Sequence, residues 1–219
     1  MLTCEHLKRR VTRTEIDGSV TVIADNYKGK PFNSPNDIIC KSDGSIWFTD
    51  PVFGILGFYE GEKSEPELPS NVYCIDSDGV ISVVAEGINQ PNGLAFSPCE
   101  SILYIVESRS QPRHILALDV VNGSQLENQR VVIDAGPKGT PDGFRLDING
   151  NLWCGWGMGE DGLDGVHIFD PQGTLIGRID LPERCANLCF GGLHRNRLFM
   201  AASTSVYSLY VNTQGVAGG

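Results

Sequence analysis

The sequence has no run of about 18 apolar residues, so no helical membrane span is expected. Its opening, MLTCEHLKRRVTRTE, lacks the apolar core of a secretory leader. Basic residues are few: 17 Lys and Arg stand against 27 Asp and Glu, a formal net charge of −10. No basic stripe is available to neutralise phosphates, which argues against nucleic acid as a partner. No CxxC pair and no HExxH motif occurs, which removes the usual cysteine-rich and zincin metal sites. There is no G-x-S-x-G elbow to support a serine-esterase mechanism. Nowhere does a sustained 3.6-residue apolar period run between caps, so helix should be scarce. The seven cysteines, Cys4, Cys40, Cys74, Cys99, Cys154, Cys185 and Cys189, are an odd number, several within strand-like runs such as DIIC and NLWCGW. Buried reduced thiols are therefore expected rather than a disulfide framework. They point to the cytoplasm, with the periplasm as the alternative should an export signal precede this chain.

What the sequence does have is turns and a repeated phrase. It carries 26 glycines and 12 prolines in 219 residues. One phrase occurs as SPNDIICKSDGSIWFTD from Ser34, QPNGLAFSPCESILYIVE from Gln90 and TPDGFRLDINGNLWCGWG from Thr140. It returns more loosely as RCANLCFGGLHRNRLFMA from Arg184. Each copy reads as a short strand, a tight turn and a second strand. Asp43-Gly44 and Asn149-Gly150 are favoured turn pairs. Further hairpins lie between copies, turning at Asp17-Gly18, Asp78-Gly79 and Gln172-Gly173.

Two hairpins per repeat of about 50 residues give four antiparallel strands per unit, the pattern of a β-propeller blade. A β-sandwich is the other all-β fold built from many short strands. The period and the repeated phrase favour an all-β propeller forming one domain over residues 1–219. The chain starts on the second strand of a copy and ends on the third, so about four and a half blades of a longer protein are expected, the first blade missing.

The phrase opens on Asn36, Asn92, Asp142 and Asn187. If the inner strand of every blade lines one central axis, these four can converge although they are far apart in sequence. Amide and carboxylate oxygens are hard ligands suited to Ca²⁺ or Mg²⁺, and they also accept Zn²⁺ or Mn²⁺. Pro-Asn-Gly and Pro-Asp-Gly are equally ordinary turn sequences, in which the side chain only caps a loop. The residues alone leave both readings open.

Residues 2–15, NSPNDIICKSDGSIWFTDP, QPNGLAFSP, TPDGFRLDINGNLW and CANLCFGG together resemble the senescence marker protein, regucalcin, gluconolactonase and luciferin-regenerating family. The likeness is greatest to bacterial gluconolactonase-type sugar lactonases and runs nearly the whole chain. It implies a six-bladed propeller and metal-dependent hydrolysis of a small-molecule sugar lactone. It further implies that Asn92 and Asp142 hold one divalent metal, calcium first, with Asn36 contacting the substrate or a metal-bound water. A Glu of the first blade completes the metal site in that family and has no counterpart here, since Glu5 lies in a later blade. Where animal members carry an Arg before the aligned Asn36, this chain has Ser34.

Lactone hydrolysis needs a polarised carbonyl and an attacking water, and a dication serves both. Asp142 is the one carboxylate among the four aligned residues, so it is the candidate ligand and general base. His6 follows the strand of the truncated blade and is expected either at the rim of the site or as a structural residue. His114 and His167 read as structural, and Asp37 as a turn residue. The connection FGILGFYEGEKSEPELPSN, residues 53–71, is expected either as a lid over the site or as a solvated loop. The glycine-rich stretch 155–165 follows a strand without opening a helix, which makes it a poor phosphate loop. The alternative to a lactonase is a non-catalytic calcium-binding or interaction propeller, or an inactive fragment.

Overall fold

The computed structural model describes residues 1–158 and 162–217, so residues 159–161 of the glycine-rich stretch lie outside the described residues. Among the described residues the structure is all β, with a single short 3-10 turn at Phe53–Ile55. The chain divides into two compact units, Met1–Asn92 and Gly93–Gly219.

The first unit opens with β1 (Leu2–Glu5), β2 (Arg10–Thr14) and β3 (Val20–Ala24), a three-stranded meander. A short ribbon of β4 (Asn26–Tyr27) and β5 (Lys30–Pro31) follows. Next come β6 (Ile38–Cys40), β7 (Ile46–Thr49), β8 (Val72–Ile75) and β9 (Ile81–Ala85), paired in sequence order. The two meanders face each other across Val11, Ala24, Phe32, Phe48, Tyr73 and Ile75. Phe32 stands edge-on to Phe48 and to Tyr73, with ring centroids 5.1 Å apart in both pairs. Such pairs add to the burial of the rings themselves.

The second unit holds three meanders. The first is β10 (Pro91–Phe96), whose first two residues close the preceding unit, with β11 (Ile102–Glu107), β12 (His114–Val121) and β13 (Gln125–Asp134). The second is β14 (Phe144–Leu146), β15 (Leu152–Trp156), β16 (Gly165–Phe169) and β17 (Leu175–Asp180). The third is β18 (Cys185–Gly191), β19 (Arg197–Ala202) and β20 (Val206–Tyr210). Side chains alternate between the two faces of a strand. In β15, Leu152, Cys154 and Trp156 therefore join one core with Ile115, Ile133 and Phe144, while Trp153 joins another with Leu188, Leu198 and Met200. Every residue of β15 and β16 is buried for that reason. A strand sandwiched between two neighbours reads as continuously apolar rather than alternating.

The turns follow the local chemistry expected of them. Gly44 and Gly150 have φ of 89° and 82°, the left-handed region that glycine enters without steric cost. The aspartates before them fasten the turns: Asp147 Oδ1 accepts the backbone N–H groups of Asn149 and Asn151, both at 2.9 Å. Its other oxygen accepts Trp153 Nε1–H at 3.1 Å and ties the turn to the core.

All seven cysteines are unpaired thiols, as expected, but burial is not their common feature. Cys74, Cys154 and Cys185 are buried, Cys4 is half-buried, and Cys40, Cys99 and Cys189 are exposed. Of the exposed ones, Cys40 ends β6, Cys99 lies in a turn, and Cys189 is on the outward face within β18.

Candidate active site

Asn36 stands at the entrance to β6. The segment before it is fixed by Asp50, which is fully buried at the end of β7. One Asp50 carboxylate oxygen accepts the Asn33 backbone N–H and the other that of Ser34, both at 2.8 Å. Burial pushes the Asp50 pKa up to about 7, against the pull of those two amides and of the Arg9 guanidinium. Arg9 Nε–H donates to the carbonyls of Phe32 and Asn33. The Asn36 backbone is paired to Thr49, so only its side chain is left to act.

That side chain meets His6, the residue just after β1. Asn36 Nδ2 and His6 Nε2 are 3.4 Å apart. His6 Nδ1 lies 3.3 Å from Glu60 Oε2. Burial lowers the His6 pKa, outweighing the Glu60 carboxylate that would raise it. Glu60 belongs to the long connection after β7, which is therefore seated on His6 rather than solvated throughout.

Asp142 stands at the entrance to β14, in the second unit. Its N–H donates to the Gly155 carbonyl at 3.0 Å, and Gly143 N–H donates to the Ala186 carbonyl of the next meander at 2.8 Å. The carboxylate accepts Arg184 Nη2–H through Oδ2 at 2.7 Å. Its charge is felt nearby: burial first, and Asp142 second, push the Cys185 thiol up to about 12, which removes it as a nucleophile. Asn187 Oδ1 accepts the Leu188 N–H at 2.8 Å, so this amide partly caps its own strand.

The glycines that follow these residues are not turn glycines. Neither Gly93 nor Gly143 has a positive φ. A Cβ on Gly143 would run into the Asn187 amide, and one on Gly93 into the Asp142 carbonyl. Pro-Asn-Gly and Pro-Asp-Gly therefore mark close packing between successive meanders, not capped turns.

Asn36 and Asn92 fall in the first unit and Asp142 and Asn187 in the second. All four are half-buried, and Asn36, Asn92 and Asp142 stand between buried neighbours. Sequence reasoning did not single out Arg184, Glu60 or Asp50, and it noted Ser34 only as a departure from the animal members. Arg184 had a usable signal, since it opens the fourth copy of the phrase. Glu60 had none, because loop residues carry no period. Among the described residues, no three His, Cys, Asp or Glu side chains gather to hold a metal ion. Amide and carboxylate oxygens are hard donors of the kind a divalent cation takes.

Three four-stranded and two three-stranded antiparallel meanders following one another along the chain define a β-propeller. The SMP-30/Gluconolactonase/LRE-like region matches residues 1–204, and the chain belongs to that family. It is 35% identical over 205 residues to a gluconolactonase from Zymomonas mobilis, covering 89% of this chain and 55% of that protein. A pentonolactonase from Haloferax volcanii is 28% identical, covering 80% and 56%. This chain thus spans about half the length of these curated relatives. Among solved structures, a gluconolactonase from Xanthomonas campestris superposes with a TM-score of 0.87 at 37% identity, covering 95% of this chain and 67% of that one. The calcium-binding protein regucalcin from Agrobacterium tumefaciens, at 21% identity and a TM-score of 0.75, shares the fold, with 95% and 72% covered.

Proposed function

We propose that this chain is the larger part of a lactone hydrolase that opens a sugar lactone, with Asp142 as its general base. The observation that carries this reading is the placement of Asp142. It is the one carboxylate among the four entrance residues, half-buried beside a guanidinium, in a chain 35% identical to a gluconolactonase.

Hydrolysis adds water to the ring carbonyl and then breaks the bond to the ring oxygen. Asp142 takes the proton of the attacking water and returns it to the ring oxygen as that bond breaks. Arg184 holds the carboxylate in one orientation while it waits. Asn36 binds a substrate hydroxyl. Asp142 is the side chain of the second unit that would hold a dication, calcium in the first instance with Zn²⁺, Mg²⁺ or Mn²⁺ as alternatives. When bound, the ion supplies polarisation of the carbonyl and a lower pKa for water.

The test is hydrolysis of δ-gluconolactone by the wild-type chain and by Asp142→Asn, each with calcium and with EDTA. Activity lost in the variant and in EDTA supports the reading. Activity indifferent to EDTA removes the metal from it. In the second reading, a calcium-binding or interaction propeller without catalysis, the interaction form is the one favoured by the Arg184 pair, which already neutralises Asp142 and so opposes both base catalysis and a cation there. Calcium binding without hydrolysis of any lactone would establish that reading instead.

A further inference from the structure

The connection between β7 and β8 is packed onto His6 more tightly than a solvated loop would be. A Cβ on Gly54 would lie 2.7 Å from His6 Cβ and 2.8 Å from Ser34 Cβ. The Gly54 N–H donates to Ser34 Oγ at 2.9 Å, and Ser34 Oγ–H donates to the Pro51 carbonyl at 2.6 Å. Gly61 has no room for a Cβ either, because the Gly54 carbonyl occupies that space. Ser64 N–H closes the loop onto the Ile55 carbonyl at 3.1 Å, and Arg9 Nη1–H donates to Ser64 Oγ at 3.3 Å. Glu60 is thereby delivered to the imidazole.

The chemistry of the contacts then fixes a direction. A carboxylate only accepts hydrogen bonds, so Nδ1 of His6, facing Glu60, carries the proton. A neutral imidazole with its proton on Nδ1 has a lone pair on Nε2. The Asn36 group 3.4 Å from Nε2 must therefore be the amide N–H₂. The Asn36 carbonyl oxygen is then the amide atom turned away from His6, available as an acceptor.

We propose that His6 is a positioning residue: held by Glu60, it turns Asn36 so that its carbonyl oxygen accepts a hydroxyl of a polyhydroxylated lactone. The proposal rests on the lactonase reading for the substrate, but not for the orientation of the His6 and Asn36 side chains. It predicts discrimination by hydroxyl content. A ring with no hydroxyl gains nothing from a fixed acceptor, whereas a sugar lactone loses that bond whenever Asn36 swings free.

Two measurements test it. In the first, ¹⁵N NMR of the histidine side chains reads the tautomer directly, with His6→Gln identifying the His6 signals. His6 is expected as the Nδ1–H tautomer in wild type and shifted toward Nε2–H in Glu60→Gln. An Nε2–H tautomer in wild type would overturn the proposal whether or not the chain is a lactonase. In the second, KM and kcat are compared for δ-gluconolactone and δ-valerolactone, which has no hydroxyl. His6→Ala and Glu60→Gln should raise KM for the sugar lactone by about tenfold, the scale of one lost polar contact. Both should leave kcat within about twofold and δ-valerolactone unaffected, and His6→Gln should restore part of the loss. Equal losses on both lactones, or none on the sugar lactone, would refute the positioning role. Glu60 is half exposed, so its variant reports even if His6→Ala folds poorly. A wild type inactive on every lactone would remove the proposed function and leave the tautomer measurement to decide the His6 arrangement.

Discussion

The entrances to β6 and β14 begin with the same phrase and are furnished in opposite ways. At β6 a neutral amide, Asn36, lies against an imidazole whose charged form is disfavoured by burial. At β14 a carboxylate, Asp142, lies against a guanidinium. The first pairing sets a direction without a net charge, which suits recognition of hydroxyls. The second holds a proton acceptor ready, which suits chemistry. A repeat that supplies backbone position can thus be filled differently in each copy.

The largest expected effect divides the two entrances. Asp142→Asn should reduce kcat for δ-gluconolactone by about 10³-fold, within the range for a lost general base. Asn36→Ala should act mainly on KM, by about tenfold. Steady-state kinetics that returned the same pattern for both would erase the distinction. Next comes the buried acid beneath Asn36. The folded chain keeps the Asp50 proton up to about pH 7, whereas the ordinary value is 3.8. Between those values the folded state binds a proton that the unfolded state has released, so stability falls as pH rises and levels off above 7. Urea unfolding should show a loss of about 2 kcal/mol from pH 5 to 7, absent in Asp50→Asn. A flat wild-type profile would mean that the two amides and Arg9 hold Asp50 ionised instead.

Gly143→Ala should destabilise by about 2 kcal/mol, because the Asn187 amide must move aside. A thermal melt unchanged in Tm would show that the meanders tolerate a methyl there. The smallest effect is expected from Ser34→Ala, about 1 kcal/mol, since the buried Gly54 N–H loses its acceptor. Faster proteolysis between residues 53 and 64 would register the same loss in this loop.

The fold was legible because its signals are periodic and local. The Asp-Gly and Asn-Gly turns, the strand lengths and the spacing of the phrase all arise within a single hairpin, and short-range chemistry decides them. Candidates for the site came from that period, at Asn36, Asn92, Asp142 and Asn187, and from the place of His6 after a strand. What surrounds these residues comes from chain far removed in sequence. Asp50 supports Asn33 and Ser34 from the far end of a hairpin, Arg184 reaches Asp142 from the next meander, and Glu60 arrives on a loop with no pattern. The double burial of β15 and β16 was hidden for a related reason, since a continuously apolar run does not say how many neighbours cover it.

The space left by each missing methyl has a further consequence. Gly143 receives a side chain from the copy that follows it, and Gly93 receives the backbone of its own successor. The second and third copies thus each leave room for the one that follows, and only at Gly143 is that room filled by a side chain, so only there can a larger residue be matched by a smaller one at position 187.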